Sequence, residues 1–192
     1  MVDQRPLVVV AYDQRWPDRF HGIAAELRAR VGANAARIDH IGSTAVPGLA
    51  AKDLIDIQIT VRRLGVADAW PDELLPGLVR RAGTVDDHIP AGASPRPVDW
   101  AKQYWSMPDE VHVHVREAGR PNQRYPLLFR DYLRADPLAA RSYGAMKREL
   151  AAVIQGDREA YYRVKDPACD VILAAAEQWA AHVGWEVPPG DA

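Results

Sequence analysis

A chain of 192 residues, 48% hydrophobic and 26% charged, has the length and composition of one soluble globular domain able to bury a core. A net charge of -2 supplies no basic face for a long nucleic acid, and no apolar run approaches the length of a membrane span. The single cysteine, Cys169, excludes an intrachain disulfide framework and a multi-cysteine zinc site.

The N-terminal apolar run, Leu7–Ala11, is too short for the hydrophobic region of a signal peptide, which makes the cytoplasm the expected compartment. The run is short and β-branched, and predicts a strand. DQRWPDRFHGIAAELRARVGA reads as a helix, with Pro17 in its first turn, Phe20, Ile23, Ala24, Leu27 and Val31 at helical spacing, and Gly32 as its stop. A brief strand over Ile38–Ile41 and a longer one over Leu54–Val61 follow, then a second helix over Asp72–Arg81 ending at Gly83. DDHIPAGASPRPVDW has no period and reads as a loop. KQYWSMPDEVHVHVRE predicts a hairpin: Lys102–Met107, a turn at Pro108-Asp109, and Val111–Glu117. In its second strand Val111, Val113 and Val115 point one way, and His112, His114 and Arg116 the other.

From Asn122 onward the pattern is helical, with Asp136-Pro137 as cap and first turn of one helix and Asp157 as cap of the last. Cys169 lies in that last helix, in DPACDVILAAAEQW, where it reads as a buried small apolar side chain rather than a reactive thiol. Pro167 predicts a kink or break at about Asp166, and WEVPPGDA is a tail. Strands come first and helices last, with no repeat and no linker. The expectation is one α+β domain, sheet-rich to about residue 118, helical to about 184, with a tail over 185–192.

The most informative stretch is RIDHIGSTAVPGLAAKDLIDIQIT, Arg37–Thr60. A small-residue turn, Gly42-Ser43, is followed by Lys52 and then by Asp56 in an apolar strand. Gly-Ser followed about a dozen residues later by acid–apolar–x–apolar resembles the signature of nucleotidyltransferases with the DNA polymerase β-like fold. The resemblance implies a turn whose backbone N–H groups approach a triphosphate and an acid pair that holds two Mg²⁺. Gln58 stands where the second acid belongs, and an amide brings no negative charge to a Mg²⁺. Strand alternation also puts Asp53 on the face opposite Asp56.

A narrower resemblance covers nearly the whole chain. DHIGSTAVPGLAAKDLIDI, HVHV and LLFRDYLRADPLAARSYGAMKRELA, in that order, are similar to segments of the GrpB family (UPF0157), which occurs alone and as a C-terminal extension of some dephospho-CoA kinases. The resemblance implies a nucleotidyltransferase-like mixed sheet with flanking helices, no settled activity, and dephospho-CoA kinase as a partner through an accessory or folding role. The sequence contains no Gly-x-x-x-x-Gly-Lys phosphate loop of its own.

The residues themselves leave three readings of the imidazoles open. Asp56, His112 and His114, with His40 nearby, form a metal site, which would make them the catalytic residues of a metal-dependent hydrolase, a ligand-binding site without metal, or simply a half-exposed polar sheet face. Two imidazoles and a carboxylate suit Mn²⁺, Fe²⁺ or Zn²⁺ better than Mg²⁺. Ser43 and Thr44 either meet a phosphate or cap the turn before Pro47. Lys52 either neutralises phosphate or is a solvated loop lysine. Arg130 pairs with Asp131 across the polar sheet face or on an exposed helix surface. With only four Lys against twenty Arg, Lys147 and Lys165 stand out as helical residues that face either the cleft or solvent. The tryptophans read as packing residues, with Trp105 alternatively stacking on a base. A cleft lined by Gly42, Ser43, Thr44, Lys52, Asp56, His112, His114, Arg130, Lys147 and Lys165, taking a small phosphorylated ligand with Mg²⁺ or Mn²⁺, is the combined expectation.

Overall fold

The most regular alternations in the chain, Ile55–Val61 and Val111–Glu117, lie side by side at the centre of a six-stranded sheet. The computed structural model describes residues 7–83, 86–154 and 157–192. In chain order the strands are β1 (Ala35–Ile41), β2 (Ile55–Val61), β3 (Glu73–Leu75), β4 (Leu78–Arg80), β5 (Gln103–Met107) and β6 (Val111–Glu117). The helices are α1 (Trp16–Val31), α2 (Pro121–Ala135), α3 (Pro137–Ile154) and α4 (Arg158–Val183). The sheet order is β1-β2-β6-β5-β4-β3. Strands β2 and β6 run parallel, with Asp56 opposite His112 and Gln58 opposite His114, and every other neighbouring pair is antiparallel. This is the expected α+β arrangement, with a mixed open sheet. No helix among the described residues is long and apolar enough to cross a membrane.

Alternation gives the sheet one apolar and one polar face. Ile55, Ile57, Ile59, Val61, Val111, Val113 and Val115 are buried on the first, beneath the Trp16, Phe20, Ala24, Leu27 and Val31 stripe of α1. Trp70, Leu74 and Trp105 close the far end of that core. The other face carries Asp56, Gln58, Thr60, His112, His114 and Arg116. Over its inner part lies α2, where Gln58 donates to the carbonyl of Gln123 (2.9 Å) and Asn122 to that of Ala101 (2.9 Å). The buried Arg116 guanidinium donates to Gln58 Oε1 at 2.7 Å and to the Asp87 carboxylate at 2.6 and 2.8 Å, and Lys102 reaches the same carboxylate at 2.7 Å. The loop at 86–100 remains a loop apart from an isolated bridge of Asp86 with Ala101 and a 3-10 turn at Pro97–Asp99, and it brings Asp87 under the sheet.

Several expectations hold and several need correction. The hairpin of β5 and β6, the Gly32 stop and the Asp157 cap are as read, with Asp157 accepting from the Ala160 N–H at 2.9 Å. Cys169 is buried against Tyr143. The segment Leu7–Ala11 is not a strand: only Val10 pairs, in an isolated bridge with Ala51, because the neighbouring loop offers no longer extended run. Residues 72–81 form the β3–β4 hairpin rather than a helix. Leucines and valines at 74, 75, 78 and 79 mimic helical spacing, but Pro76 followed by Gly77 at φ 80° makes a turn between them. Pro167 does not break α4, which continues to Val183 while Tyr161, Cys169, Ala176 and Ala180 keep it buried along one side. Trp105 faces the apolar side, donates to the Pro71 carbonyl and lies under Arg80, so it offers no ring to a base. The tail is ordered along the β1 edge, where Ile38 and Ala192 exchange backbone hydrogen bonds at 3.2 and 3.0 Å.

Removing one partner of a buried ion pair strands the other charge, at a cost of about 3–5 kcal/mol. The Arg116→Met variant is therefore expected to unfold at least roughly 6–12 °C lower than the parent, measured by calorimetry at pH 7. Burial tends to raise the Asp87 carboxyl, but Arg116 and Lys102 outweigh it and hold it well below the usual carboxylate range. Stability from this lowered carboxyl is present above about pH 4 and lost on acidification, so the variant should also lose less stability than the parent as pH falls. An unchanged midpoint would show that the network contributes nothing.

Candidate functional site

At the outer end of the polar face, α2 no longer covers the sheet, and a cleft of about 620 Å³ opens between β2, β6 and helices α3 and α4. Asp56 stands on its floor as the second residue of β2, directly against the Gly42 turn. Gly42 has φ 72°, and a Cβ there would fall 2.4 Å from Asp56 Oδ2. Glycine is thus required twice, for the backbone conformation and for room beside the carboxylate. His112 Nδ1 lies 3.3 Å and His114 Nε2 3.8 Å from Asp56 Oδ1, and one ligand-type atom from each of the three residues falls within 4.8 Å of the others. The parallel register of β2 and β6 places them so.

The electrostatics of this group are set by its depth. Burial tends to raise the Asp56 carboxyl, but side-chain hydrogen bonds from His112 and His114 override it and hold it well below the usual carboxylate range. Burial, then the Arg116 guanidinium, pushes His114 down to about 4, so its ring is neutral at pH 7. Arg116 Nη2 points at His114 Nδ1 from 3.4 Å, which leaves the ring proton on Nε2, facing Asp56. The rings are steadied from β5 by Tyr104, with centroids 5.5 Å from His112 and 5.0 Å from His114.

The opposite wall is cationic and aromatic. Lys52 Nζ lies 3.2 Å from Tyr162 Oη and 5.0 Å from the centre of the Tyr161 ring, and Lys165 Nζ lies 5.7 Å from that of Tyr162. Lys147 projects from α3 to within 2.6 Å of Ser43 Oγ. Burial, then the neighbouring Lys165 ammonium, pushes Lys147 down to about 7.

Of the residues expected at the site, Ser43, Thr44, Lys52, Asp56, His112, His114, Lys147 and Lys165 line the cleft, and Gly42 backs it. Thr44 is occupied, its hydroxyl donating to the Leu54 carbonyl at 3.1 Å and meeting His40 Nε2 at 3.0 Å. Two residues require correction. His40 does not join the imidazole pair: it lies on the α1 side, stacked on Phe20 at 4.8 Å. Arg130 is not in the cleft either. Its buried guanidinium donates to the His40 carbonyl (2.9 Å), to Asp131 (2.7 Å) and to Asp191 of the tail (2.7 Å), fastening α2 and the tail to β1. Reading the sequence also passed over Tyr104, Ser106, Tyr161 and Tyr162. Tyr104 and Ser106 were within reach, since alternation about the apolar Trp105 puts both on the histidine face. Tyr161 and Tyr162 come from a helix that no local pattern ties to this strand.

These donors do not fit a pair of Mg²⁺ ions. Gln58 is consumed by Arg116 and Gln123, and Asp87 by Arg116 and Lys102. Of the carboxylates lining the cleft among the described residues, Asp53 is held by Trp16 and Arg19 and Asp109 lies 3.6 Å from Arg158, which leaves Asp56 as the one beside the imidazoles. One ligand atom each from Asp56, His112 and His114 lies close enough to hold one divalent cation of the Mn²⁺, Fe²⁺ or Zn²⁺ class, which would have to displace the His114 Nε2 proton.

Comparison with known proteins agrees with this architecture. A family model described as GrpB protein matches residues 6–175. A dephospho-CoA kinase of Mycolicibacterium paratuberculosis is 37% identical over 96% of this chain and 49% of its own length. A UPF0157 protein of Streptomyces coelicolor is 34% identical over 85% of this chain and 78% of its own. The chain thus spans about half the length of the dephospho-CoA kinases it matches (49%). The crystal structure of the conserved protein GrpB from Enterococcus faecalis superposes with a TM-score of 0.70 at 27% identity, covering 93% of this chain and all of the other. With the match running through both the strand that carries Asp56 and the helices that carry Lys147 and Lys165, the chain belongs to the GrpB family.

Proposed function

We propose that the cleft binds a phosphorylated small molecule, such as a nucleotide, on a nucleotidyltransferase-like framework whose two-metal acid pattern has been lost. The observation that carries this reading is the convergence of Lys52 and Lys165 on one wall of a single cleft, facing Asp56, His112 and His114 on its floor. The lysines meet the phosphate, and Tyr161 and Tyr162 offer aromatic surface to the rest of the ligand. A divalent cation on Asp56, His112 and His114 would supply the positive charge that keeps a phosphate from being repelled by the Asp56 carboxylate. Because a ligating imidazole normally gives its second N–H to an acceptor, and His114 instead faces the donor Arg116, the cation alone binds weakly and the phosphate-bearing ligand strengthens it.

The relatives favour a second reading. Similarity over nearly the whole chain to half of the dephospho-CoA kinases supports an accessory role, in which this domain associates with such a kinase and aids its folding.

Calorimetry with nucleoside triphosphates and coenzyme A intermediates, with and without Mn²⁺, tests the first reading. Binding is expected for at least one, about tenfold weaker or more in Lys165→Met, and with its Mn²⁺ dependence abolished in Asp56→Asn. A folded preparation that gives no heat with any of them removes that reading. For the second, co-expression with a separately encoded dephospho-CoA kinase should raise the soluble yield of the kinase and allow the two to be purified together. Two proteins that neither associate nor change in yield would rule it out.

A further inference from the structure

Beside the Asp56 group, the Gly42 turn and α3 bring together a serine and a lysine. Ser43 Oγ and Lys147 Nζ are 2.6 Å apart, and both residues line the cleft. The approach is built into the fold. Gly144, one turn before Lys147 on α3, has no side chain to hold off the segment that follows the Ser43 turn. A Cβ at Gly144 would meet Leu49 Cδ1 at 3.2 Å and the Ala50 backbone nitrogen at 3.6 Å, so α3 can lie close enough for Lys147 to reach the serine.

Lys147 is only 3% exposed, and charge is costly there. Its ammonium sits 4.5 Å from the centre of the Tyr143 ring on its own helix. The charged and titratable groups that act on it are Lys165 and Cys169 from α4, Asp56 from β2 and Lys52 from the loop before β2. Burial and the two lysines prevail over Cys169 and Asp56, and Lys147 falls to about 7. Much of the population near neutral pH therefore holds a free amine against the Ser43 hydroxyl, where a nucleophilic serine needs its general base.

We propose that Ser43 and Lys147 act as nucleophile and general base in the hydrolysis of an acyl ester or thioester through an acyl-Ser43 intermediate. Neutral Lys147 takes the Ser43 hydroxyl proton as Oγ forms a bond to the carbonyl carbon. The bond from that carbon to the alcohol oxygen or thiol sulfur then breaks, and the leaving group takes the proton from Lys147. In the second half, water gives a proton to Lys147 and its oxygen attacks the acyl carbon. Ser43 Oγ leaves and regains its proton from Lys147, so ester and water become acid and alcohol or thiol. The reacting centre is a carbonyl rather than phosphorus for a physical reason. A phosphoryl dianion at Ser43 would draw Lys147 back to the ammonium and remove its lone pair, whereas an uncharged carbonyl leaves the amine neutral. Lys52 and Lys165 then suit an anionic group elsewhere on the same molecule, a part of the substrate class that rests on the phosphate-binding reading above.

The test uses p-nitrophenyl acetate, an uncharged activated ester that needs neither Lys52 nor Lys165, so its outcome is separate from that of the phosphate calorimetry. Acid quenching and peptide mass mapping should place one acetyl group on Ser43, with release of p-nitrophenolate. The rate should rise with pH through about 7, because the deprotonated amine is the base. Lys147→Met and Lys147→Arg should each slow acetylation of Ser43 by about 10²–10⁴-fold while keeping the parent circular dichroism spectrum. Ser43→Ala should lose the modified peptide. An acetyl group on Lys147 instead of Ser43, no acetyl on either, or an unchanged Ser43 rate in a folded Lys147 variant overturns the proposal. If neither variant folds, the parent's peptide map and pH profile decide alone: Ser43 left unlabelled, or labelled at a rate flat across pH 7, overturns it equally.

Discussion

The parallel pairing of β2 with β6 is the constraint from which the rest of the molecule follows. It sets Asp56 opposite His112 and Gln58 opposite His114, and in doing so collects the isoleucines and valines of both strands on the other face. A shift of one residue would exchange the two faces, burying a carboxylate and imidazoles beneath α1 and turning the aliphatic side chains toward the cleft. The register is therefore held by the burial of a continuous apolar layer, at roughly 25 cal/mol for each Å² removed from water. The chemistry of the polar face comes with it, because both faces belong to the same backbone.

Along that polar face the degree of pairing changes with depth. Beneath α2, Arg116, Asp87, Lys102, Gln58 and the Asn122 side-chain N–H lie at hydrogen-bond distance from one another, while Asn122 Oδ1 and Thr60 Oγ1 are buried without a partner. At the outer end the same row of residues has fewer partners from the protein. Asp56 has imidazoles at 3.3 and 3.8 Å, and Lys147 has one serine hydroxyl. Arg116 joins the two regions, since its guanidinium anchors the inner network and also faces His114 Nδ1. Inner polar groups thus serve stability and orientation, while the outer ones are less fully paired within the protein. Position 58 shows the change clearly: its amide is not a weakened metal ligand left in the cleft but a buried strut that holds Arg116 and Gln123.

Much of this was legible in the sequence where the evidence is local. Alternation in VHVHVRE identified a strand with opposed faces, and the Pro108-Asp109 turn, the Gly32 stop and the Asp157 cap each follow from one residue's backbone preference. Asp56, His112 and His114 could be grouped because strand parity places each on the polar side. Where local evidence is ambiguous the reading failed. The spacing at 74–79 fits a helix as well as a hairpin, and only Pro76-Gly77 distinguishes them. Arg130 looked like a cleft residue because its neighbours in sequence carry the family likeness, yet its position on α2 turns it toward the β1 backbone and the tail.

The sequence by itself determined most of the elements, the two-faced sheet, the family, and the residue types that could form a site, because caps, turns and alternation depend on neighbours a few positions away. Only the tertiary structure decided which of those residues meet. Asp56 and His112 are 56 positions apart and Ser43 and Lys147 are 104, separations over which no periodicity carries information. Their contact depends on strand register and on how closely α3 can approach past Gly144. The charge on Lys147 was likewise undetermined until the fold enclosed it, since burial and a neighbouring ammonium, rather than the residue type, fix its proton affinity.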